Sequence, residues 1–218
     1  MLFNIHKLLV SVSYGITVHN EYQELEKLLE FLLSNIDNND EIMVLQDVSQ
    51  KDEATTKVIN RYKDRIKHIE AKLNNDFGTF KNYLIQNASC KYLFQIDADE
   101  LPQQHLVKSI KKIIFKKRKY DCYLVPRINV VNGLTPEHTK KWGWNVNEKG
   151  FINFPDYQLR ILKLNGQIRW KNKVHEELHG FKKPYYLPDS ELNCLLHVKE
   201  IERQELQNAL YDKIQTTD

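Results

Sequence analysis

The sequence predicts an α/β fold: a mainly parallel central sheet flanked by helices, in one Rossmann-like domain that closes with a C-terminal hairpin and helix. Two observations predict it. Short apolar, β-branched runs alternate with amphipathic helical patterns through the first half, as βαβ units around a parallel sheet do. Later, Asn165-Gly166 separates two strand candidates, a strong type I′ hairpin signal.

The elements follow in order. Gly15 to Val18 reads as the first strand, and Asn20 to Gln23 as a capping box opening a helix that buries Tyr22, Leu25, Leu28, Leu29 and Leu32. Asn38-Asn39-Asp40 turns the chain into a second strand, Ile42 to Leu45, and Ser49 starts a second helix with Val58, Ile59 and Tyr62 inward. A third strand spans Ile66 to Ala71, and a third helix carries Phe80, Tyr83, Leu84 and Ala88. Tyr92 to Ile96 is the fourth strand, ending in Asp97-Ala98-Asp99-Glu100. A helix from Gln103 to Phe115 and a strand from Cys122 to Val125 come next. From Pro126 to Gly180 the chain reads as loop-rich, with strand candidates at Gln158 to Leu164 and Gln167 to Val174. Leu192 to Val198 and a helix from Glu200 to Lys213 complete it.

Length and charge set bounds on function. The 218 residues suit one domain, read as residues 1–218, with an α/β nucleotide-binding half at about 10–125 and a substrate-facing half at about 126–218. Lys+Arg 32 against Asp+Glu 29 leaves +3, and 28% charged with 41% hydrophobic residues is an ordinary globular balance. That balance argues against a highly basic nucleic-acid coat or a disordered tail. Cys90, Cys122 and Cys194 lie far apart with no CxxC pair, so no disulfide scaffold or cysteine-built zinc site is expected. No apolar run approaches the roughly 20 residues of a membrane span. A cytoplasmic setting is expected, with association at the cytoplasmic face of a membrane allowed.

Asp97-Ala98-Asp99-Glu100 sits where the carboxyl ends of parallel strands open onto a ligand crevice. Carboxylates this close repel unless something neutralises them. A divalent metal bridging a diphosphate does so, because Mg²⁺ and Mn²⁺ favour carboxylate and phosphate oxygens together. A solvated helix cap is the plainer reading of such a cluster.

Several segments together resemble glycosyltransferase family 2 of the GT-A fold, and within it the small branch of lipopolysaccharide-core glucosyltransferase-like proteins. They are Thr17-Val18-His19-Asn20-Glu21, Val44 to Ser49, Phe77 to Asn82, Phe94 to Glu100, Val125-Pro126-Arg127, Pro155 to Arg160 and Val174-His175-Glu176. The resemblance implies a metal-dependent, inverting transfer of a sugar from a nucleoside-diphosphate sugar, UDP-linked by expectation, to an acceptor hydroxyl. Thr17 and Glu21 would line the nucleoside pocket and Asp47 would meet the base. Lys81 would lie near the donor and Asp97 at the ribose. His19, Ala98 and Arg160 are placed at the donor by the same likeness. Asp99, with His197, would hold Mn²⁺ or Mg²⁺. The acceptor would be a glycan, a lipid-linked saccharide or another hydroxyl compound. Glu176 and Asp156 are the two candidates for the base, with Glu176 favoured because His-Glu at a strand end matches this branch.

Two rival readings come from other classes. His175-Glu176-Glu177-Leu178-His179 spells H-E-x-x-H, the signature of zinc metallohydrolases. That chemistry needs a helix, and on a strand the two histidines would stand about 13 Å apart. Lys108, Lys111, Lys112, Lys116, Lys117, Arg118 and Lys119 form a basic stretch, open to a non-catalytic membrane or nucleic-acid-binding module or to peripheral membrane contact by the enzyme. Trp142-Gly143-Trp144 offers rings that suit either a sugar face or the core.

Overall fold

A computed structural model describes residues 5–215. The first half runs α1 (Ile5–Leu9), β1 (Val12–Val18), α2 (Tyr22–Asn35), β2 (Glu41–Asp47), α3 (Glu53–Arg61), β3 (Lys67–Ala71), α4 (Phe77–Asn87) and β4 (Tyr92–Asp97). Next come β5 (Glu100–Pro102), α5 (Gln104–Lys116), β6 (Cys122–Asn132), α6 (Pro136–Trp142) and β7 (Ile152–Lys163). The chain continues through β8 (Arg169–Lys171), β9 (Glu177–His179), β10 (Pro184–Tyr186), β11 (Leu195–Glu200) and α7 (Ile201–Gln215).

The central sheet has nine strands in the order β3-β2-β1-β4-β7-β6-β11-β5, with β10 attached to β6. β1 is flanked in parallel by β2 and β4, and β2 by β3. β7 runs antiparallel between β4 and β6, and β11 lies parallel to β6. The mainly parallel, helix-flanked sheet is therefore as the sequence predicts.

Side-chain alternation along the strands divides the core in two. Tyr14, Ile16, Val44, Phe94 and Ile96 face α2 and α5, packing on Leu25, Leu28, Leu32, Ile110 and Ile114. On the other face Met43, Leu45 and Leu93 meet Phe80 and Leu84 of α4 and Trp170 and Leu178 of the small β8–β9 sheet. Parallel strands covered on both faces read as continuous apolar runs, which is why the sequence locates them well.

Several local expectations are corrected. α2 starts one residue late, with Glu21 as its N-cap and no side-chain capping bond, and Tyr22 is exposed. The Glu21 carboxylate instead accepts from the backbone N–H groups of His19 and Asn20. The second helix begins at Glu53, capped by Asp52 accepting from Thr55 N–H, while Ser49 is engaged with Asp47 and Leu73 instead. The region after Pro126 is less loop-rich than its composition suggests: β6 and β7 span 11 and 12 residues.

The expected hairpin across Asn165-Gly166 does not form. Gly166 does adopt a left-handed φ of 76°, yet the strand before it pairs with β4 and β6, while β8 pairs antiparallel with β9. The C-terminal hairpin is thus Arg169–Lys171 against Glu177–His179. β7 fills the slot between two strands of the main sheet, and that pairing outweighs the local turn preference.

Candidate active site

The carboxyl ends of β1, β2 and β4 open onto a cleft of about 720 Å³. Its walls are completed by β6, β7, β11, α7 and the loop between β8 and β9. Thr17, His19, Glu21, Asp47, Lys81, Asp97, Ala98, Asp99, Asp156, Arg160, Glu176 and His197 all line it. Residues far apart in sequence are thus brought to one crevice by strand order.

Asp97 ends β4 beside Thr17, its register partner in β1. Its two carboxylate oxygens are held by Thr17 Oγ1 at 2.7 Å and by an Arg160 Nη2 at 2.7 Å. Burial alone would raise its pKa, but the Arg160 and Lys81 charges and the Thr17 hydrogen bond hold it well below the usual carboxylate range. Arg160 is 4% exposed and also donates to Glu100 Oε1 at 2.5 Å. Glu100, 1% exposed, receives Arg127 at 2.9 Å as well. Arg127 continues to Asp156 at 2.7 Å. A chain of alternating charge therefore runs Asp97–Arg160–Glu100–Arg127–Asp156 along the cleft floor, buried at Arg160 and Glu100 and partly exposed at the other three.

Asp156 is fully engaged. Its oxygens also accept from Asn129 at 2.8 Å and Gln158 at 2.7 Å. Burial pushes its pKa up, but the Arg127 charge and the hydrogen bonds from Asn129, Arg127 and Gln158 bring it below the ordinary value. The sign for stability follows. Asp97 and Asp156 both have folded pKa values below the unfolded value of about 3.9, so their stabilisation is complete above that value and fades as pH falls through the folded ones. Urea midpoints are expected to hold between pH 7 and 5 and to drop steadily below about pH 4. A midpoint flat down to pH 3 would contradict this charge chain.

Asp99 lies two residues beyond Asp97 on the same lip. Its Oδ2 lies 3.3 Å from His197 Nε2, 3.5 Å from Lys199 Nζ and 3.6 Å from an Arg203 nitrogen. His197 is steered by Asn129, whose Oδ1 is 2.8 Å from the ring Nδ1. Burial would raise the Asp99 pKa, but the His197 hydrogen bond and the neighbouring positive charges hold it at about 2. Lys199 is 8% exposed, and burial lowers its pKa against the pull of Asp99. Arg203, on α7, also pairs with Glu21 at 2.8 Å, tying the C-terminal helix across the cleft to the β1–α2 loop.

Glu176 faces the cleft from the loop between β8 and β9, ion-paired with Lys81 of α4. That loop is held by α4 in three ways. Asn82 donates to Trp170 O and accepts from Trp170 N–H, both at 2.9 Å, acting as a strand partner. Phe77 N–H donates to Lys173 O at 2.9 Å. Gly78 leaves room for the loop backbone, since a Cβ there would come within 2.4 Å of Asn172 O. At the end of β2, Asp47 Oδ1 accepts from Ser49 N–H at 2.9 Å and Leu73 N–H at 3.0 Å, and its other oxygen stands 3.4 Å from His19 Nδ1.

The H-E-x-x-H reading fails on geometry. His175 sits in a left-handed turn with φ 51°, and Glu177–His179 is a strand. His179 points to solvent beside Glu177 and lies outside the cleft. Among the described residues no group of three His, Cys, Asp or Glu side chains is arranged to hold a metal by itself. Asp99 and His197 do offer an oxygen and a nitrogen donor to one point, which suits an ion whose other ligands are phosphate oxygens and water. Lys199, Arg203, Glu100 and Arg127 are the site residues that sequence reasoning leaves unassigned. Arg127 and Glu100 stand within recognised segments, but Lys199 and Arg203 carry no local signal, since their partner Asp99 is about a hundred positions away.

A family model described as Glycosyl transferase family 2 matches residues 13–182. The chain belongs to that family. The chain is 27% identical over 169 residues to the SPbeta prophage-derived glycosyltransferase SunS of Bacillus subtilis (strain 168), a match covering 77% of this chain and 34% of that protein. The chain thus spans about a third of the length of the curated relatives it matches. Among solved structures, a 1–349 form of S. aureus TarS superposes with a TM-score of 0.60 at 13% identity, covering 86% of this chain and 60% of that one. The same protein in complex with UDP-GlcNAc gives 0.59 at 14% identity, covering 87% and 58%. The mannosyltransferase PcManGT from Pyrobaculum calidifontis, in complex with GDP-Man and Mn2+, gives 0.56 at 13% identity, covering 85% and 56%. These likenesses establish the GT-A fold of the chain.

Proposed function

We propose that the cleft binds a nucleoside-diphosphate sugar, UDP-linked, and transfers the sugar with inversion to an acceptor hydroxyl, using Mn²⁺ or Mg²⁺ at Asp99 and His197. The observation that carries the reading is the gathering of Asp97, Asp99, His197, Lys199 and Arg203 at one lip of a cleft that Glu176 faces from another wall. TarS binding UDP-GlcNAc and PcManGT binding GDP-Man with Mn2+ support the donor class and the ion.

In this reading Thr17, His19, Glu21 and Asp47 surround the nucleoside and Asp97, already ionised, meets the ribose. A bound metal supplies charge stabilisation for the departing diphosphate. Lys199 and Arg203 add to it: their charges now face Asp99, and they turn to the phosphate oxygens when the donor arrives. Glu176 takes the acceptor proton as the sugar's anomeric carbon is attacked from the face opposite the diphosphate. Asp156 is the poorer base because its lone pairs are committed to Arg127, Asn129 and Gln158, and a depressed pKa weakens proton abstraction. It positions Arg127 instead. The acceptor half, with Trp144, Ile152 and Asn153 at the rim, receives a glycan, lipid-linked saccharide or other hydroxyl compound.

A thermal-shift series with UDP, GDP and their sugars, in Mn²⁺, Mg²⁺ or chelator, tests the reading. A ligand at 100 times its Kd stabilises the native state by about 2.7 kcal/mol, a shift of several degrees. UDP with Mn²⁺ is expected to give that shift, and chelator to reduce it. Absence of a shift with every nucleotide would overturn the proposal.

A further inference from the structure

We propose that the end of the sheet opposite the cleft is a docking surface for an anionic lipid bilayer, with α1 as its apolar tip and the cations around α5 as its charged rim. This stands independently of the donor and metal assignments.

The cleft lies at the carboxyl ends of β1 and β4; α1 lies at their other ends, just before Val12, which pairs with Tyr92 at the start of β4. Three of the five residues of α1 are exposed and aliphatic: Ile5 at 42%, Leu8 at 82% and Leu9 at 47%. The helix is nonetheless held firmly. Lys91 Nζ donates to Leu9 O at 2.9 Å, and Asn39 donates to Lys7 O at 2.7 Å. Its apolar residues are therefore presented to solvent by a fixed scaffold.

α1 packs on α5, and α5 supplies charge. No Asp or Glu occurs between Glu100 and Asp121. Lys108, Lys112 and Lys116 form one exposed stripe at i, i+4, i+8. Arg118 and Lys119 extend it. The fold adds two lysines that sequence order does not suggest. The Asp121 carboxylate accepts from the backbone N–H groups of Lys182 and Lys183 at 2.7 and 3.0 Å, bringing that loop beside the end of α5. Lys119 and Lys183 then stand over the same Tyr120 ring, at 5.3 and 5.4 Å. The acids nearby are engaged elsewhere: Asp37 and Asp40 take Lys7 and Lys111.

The pairing of charge with exposed aliphatic side chains selects the partner. Lysines alone suit any polyanion, but Ile5, Leu8 and Leu9 gain nothing from a nucleic-acid backbone and gain burial at the acyl boundary of a bilayer. Stable peripheral attachment needs two such signals together, apolar insertion and a polybasic surface. Docked this way, the donor cleft faces away from the lipid.

Flotation of the full chain with vesicles of phosphatidylcholine plus phosphatidylglycerol, against phosphatidylcholine alone, tests this. Binding to the anionic vesicles is expected to be at least about tenfold stronger, since each lysine near such a surface contributes roughly a fivefold gain. Raising salt to about 0.5 M should remove most of it. Leu8→Glu, and separately Lys116→Glu with Lys119→Glu, should each weaken it about fivefold or more. Leu8 is so exposed that its replacement disturbs no packing, and an unchanged melting temperature in buffer verifies this. No vesicle binding, or equal binding to both vesicles, would overturn the proposal. So would binding unaffected by Leu8→Glu and displaced by a single-stranded oligonucleotide, which marks a general polyanion surface instead.

Discussion

Glu176→Gln is expected to lower kcat by about 10²- to 10⁴-fold, the usual loss when a general base is removed, while leaving nucleotide affinity nearly unchanged. The variant keeps the shape of the loop after β8, because Asn82, Phe77 and Gly78 hold that loop through its backbone. Lys81 keeps a hydrogen-bond acceptor in the glutamine oxygen. Single-turnover rates with a labelled donor, beside nucleotide titrations, separate the chemical step from binding. Asp156→Asn should behave differently. Its oxygens organise Arg127, Asn129 and Gln158, so loss of its charge should lower stability and raise KM together. If Asp156→Asn instead abolishes turnover with binding and melting temperature intact, the base is Asp156.

Glu100→Ala should be among the most damaging single substitutions for folding. Glu100 is 1% exposed and its carboxylate is shared by Arg160 at 2.5 Å and Arg127 at 2.9 Å. Removing one partner of a buried pair strands the other charge, at a cost of about 3–5 kcal/mol. Here two guanidinium groups would be stranded, and the Asp97 backbone N–H would lose its 3.2 Å acceptor. Urea unfolding measures the loss, and Glu100→Gln, which keeps the shape and an acceptor, should fall between. A change below about 1 kcal/mol in Glu100→Ala would show that the charges resolvate easily and that the chain of pairs under the cleft contributes little.

The first half was legible in the sequence because its strands are apolar on both faces and its carboxylates follow a strand directly. Tyr92 to Ile96 is such an apolar run, and Asp97 ends it at the crevice. The second half was harder to read for a physical reason. β6 and β7 mix polar and apolar residues because their inward faces line a polar cleft, as Arg127, Asn129, Asp156, Gln158 and Arg160 do. Such strands lose the hydrophobic signal that would reveal them. Asn165-Gly166 misled in the opposite direction: only Gly166 takes the positive φ that a type I′ turn needs at both central residues, and pairing is decided by which strands find a vacant edge, where β7 already has two partners. The Asp99 neighbours Lys199 and Arg203 depend on how β11 and α7 return to the sheet, which no local pattern encodes.

That return sets an order in time. β11 slots between β6 and β5, pairing His197 with both Asn129 and Glu100. The strand that carries a proposed metal ligand thus follows the other strands of the main sheet in the order of synthesis, among the described residues. Until it docks, β5 has no partner strand and Asp99 has neither His197 nor Lys199 beside it. A growing chain therefore holds its carboxylates apart from the cations that complete them, and the crevice acquires its charge balance only when β11 has joined the sheet.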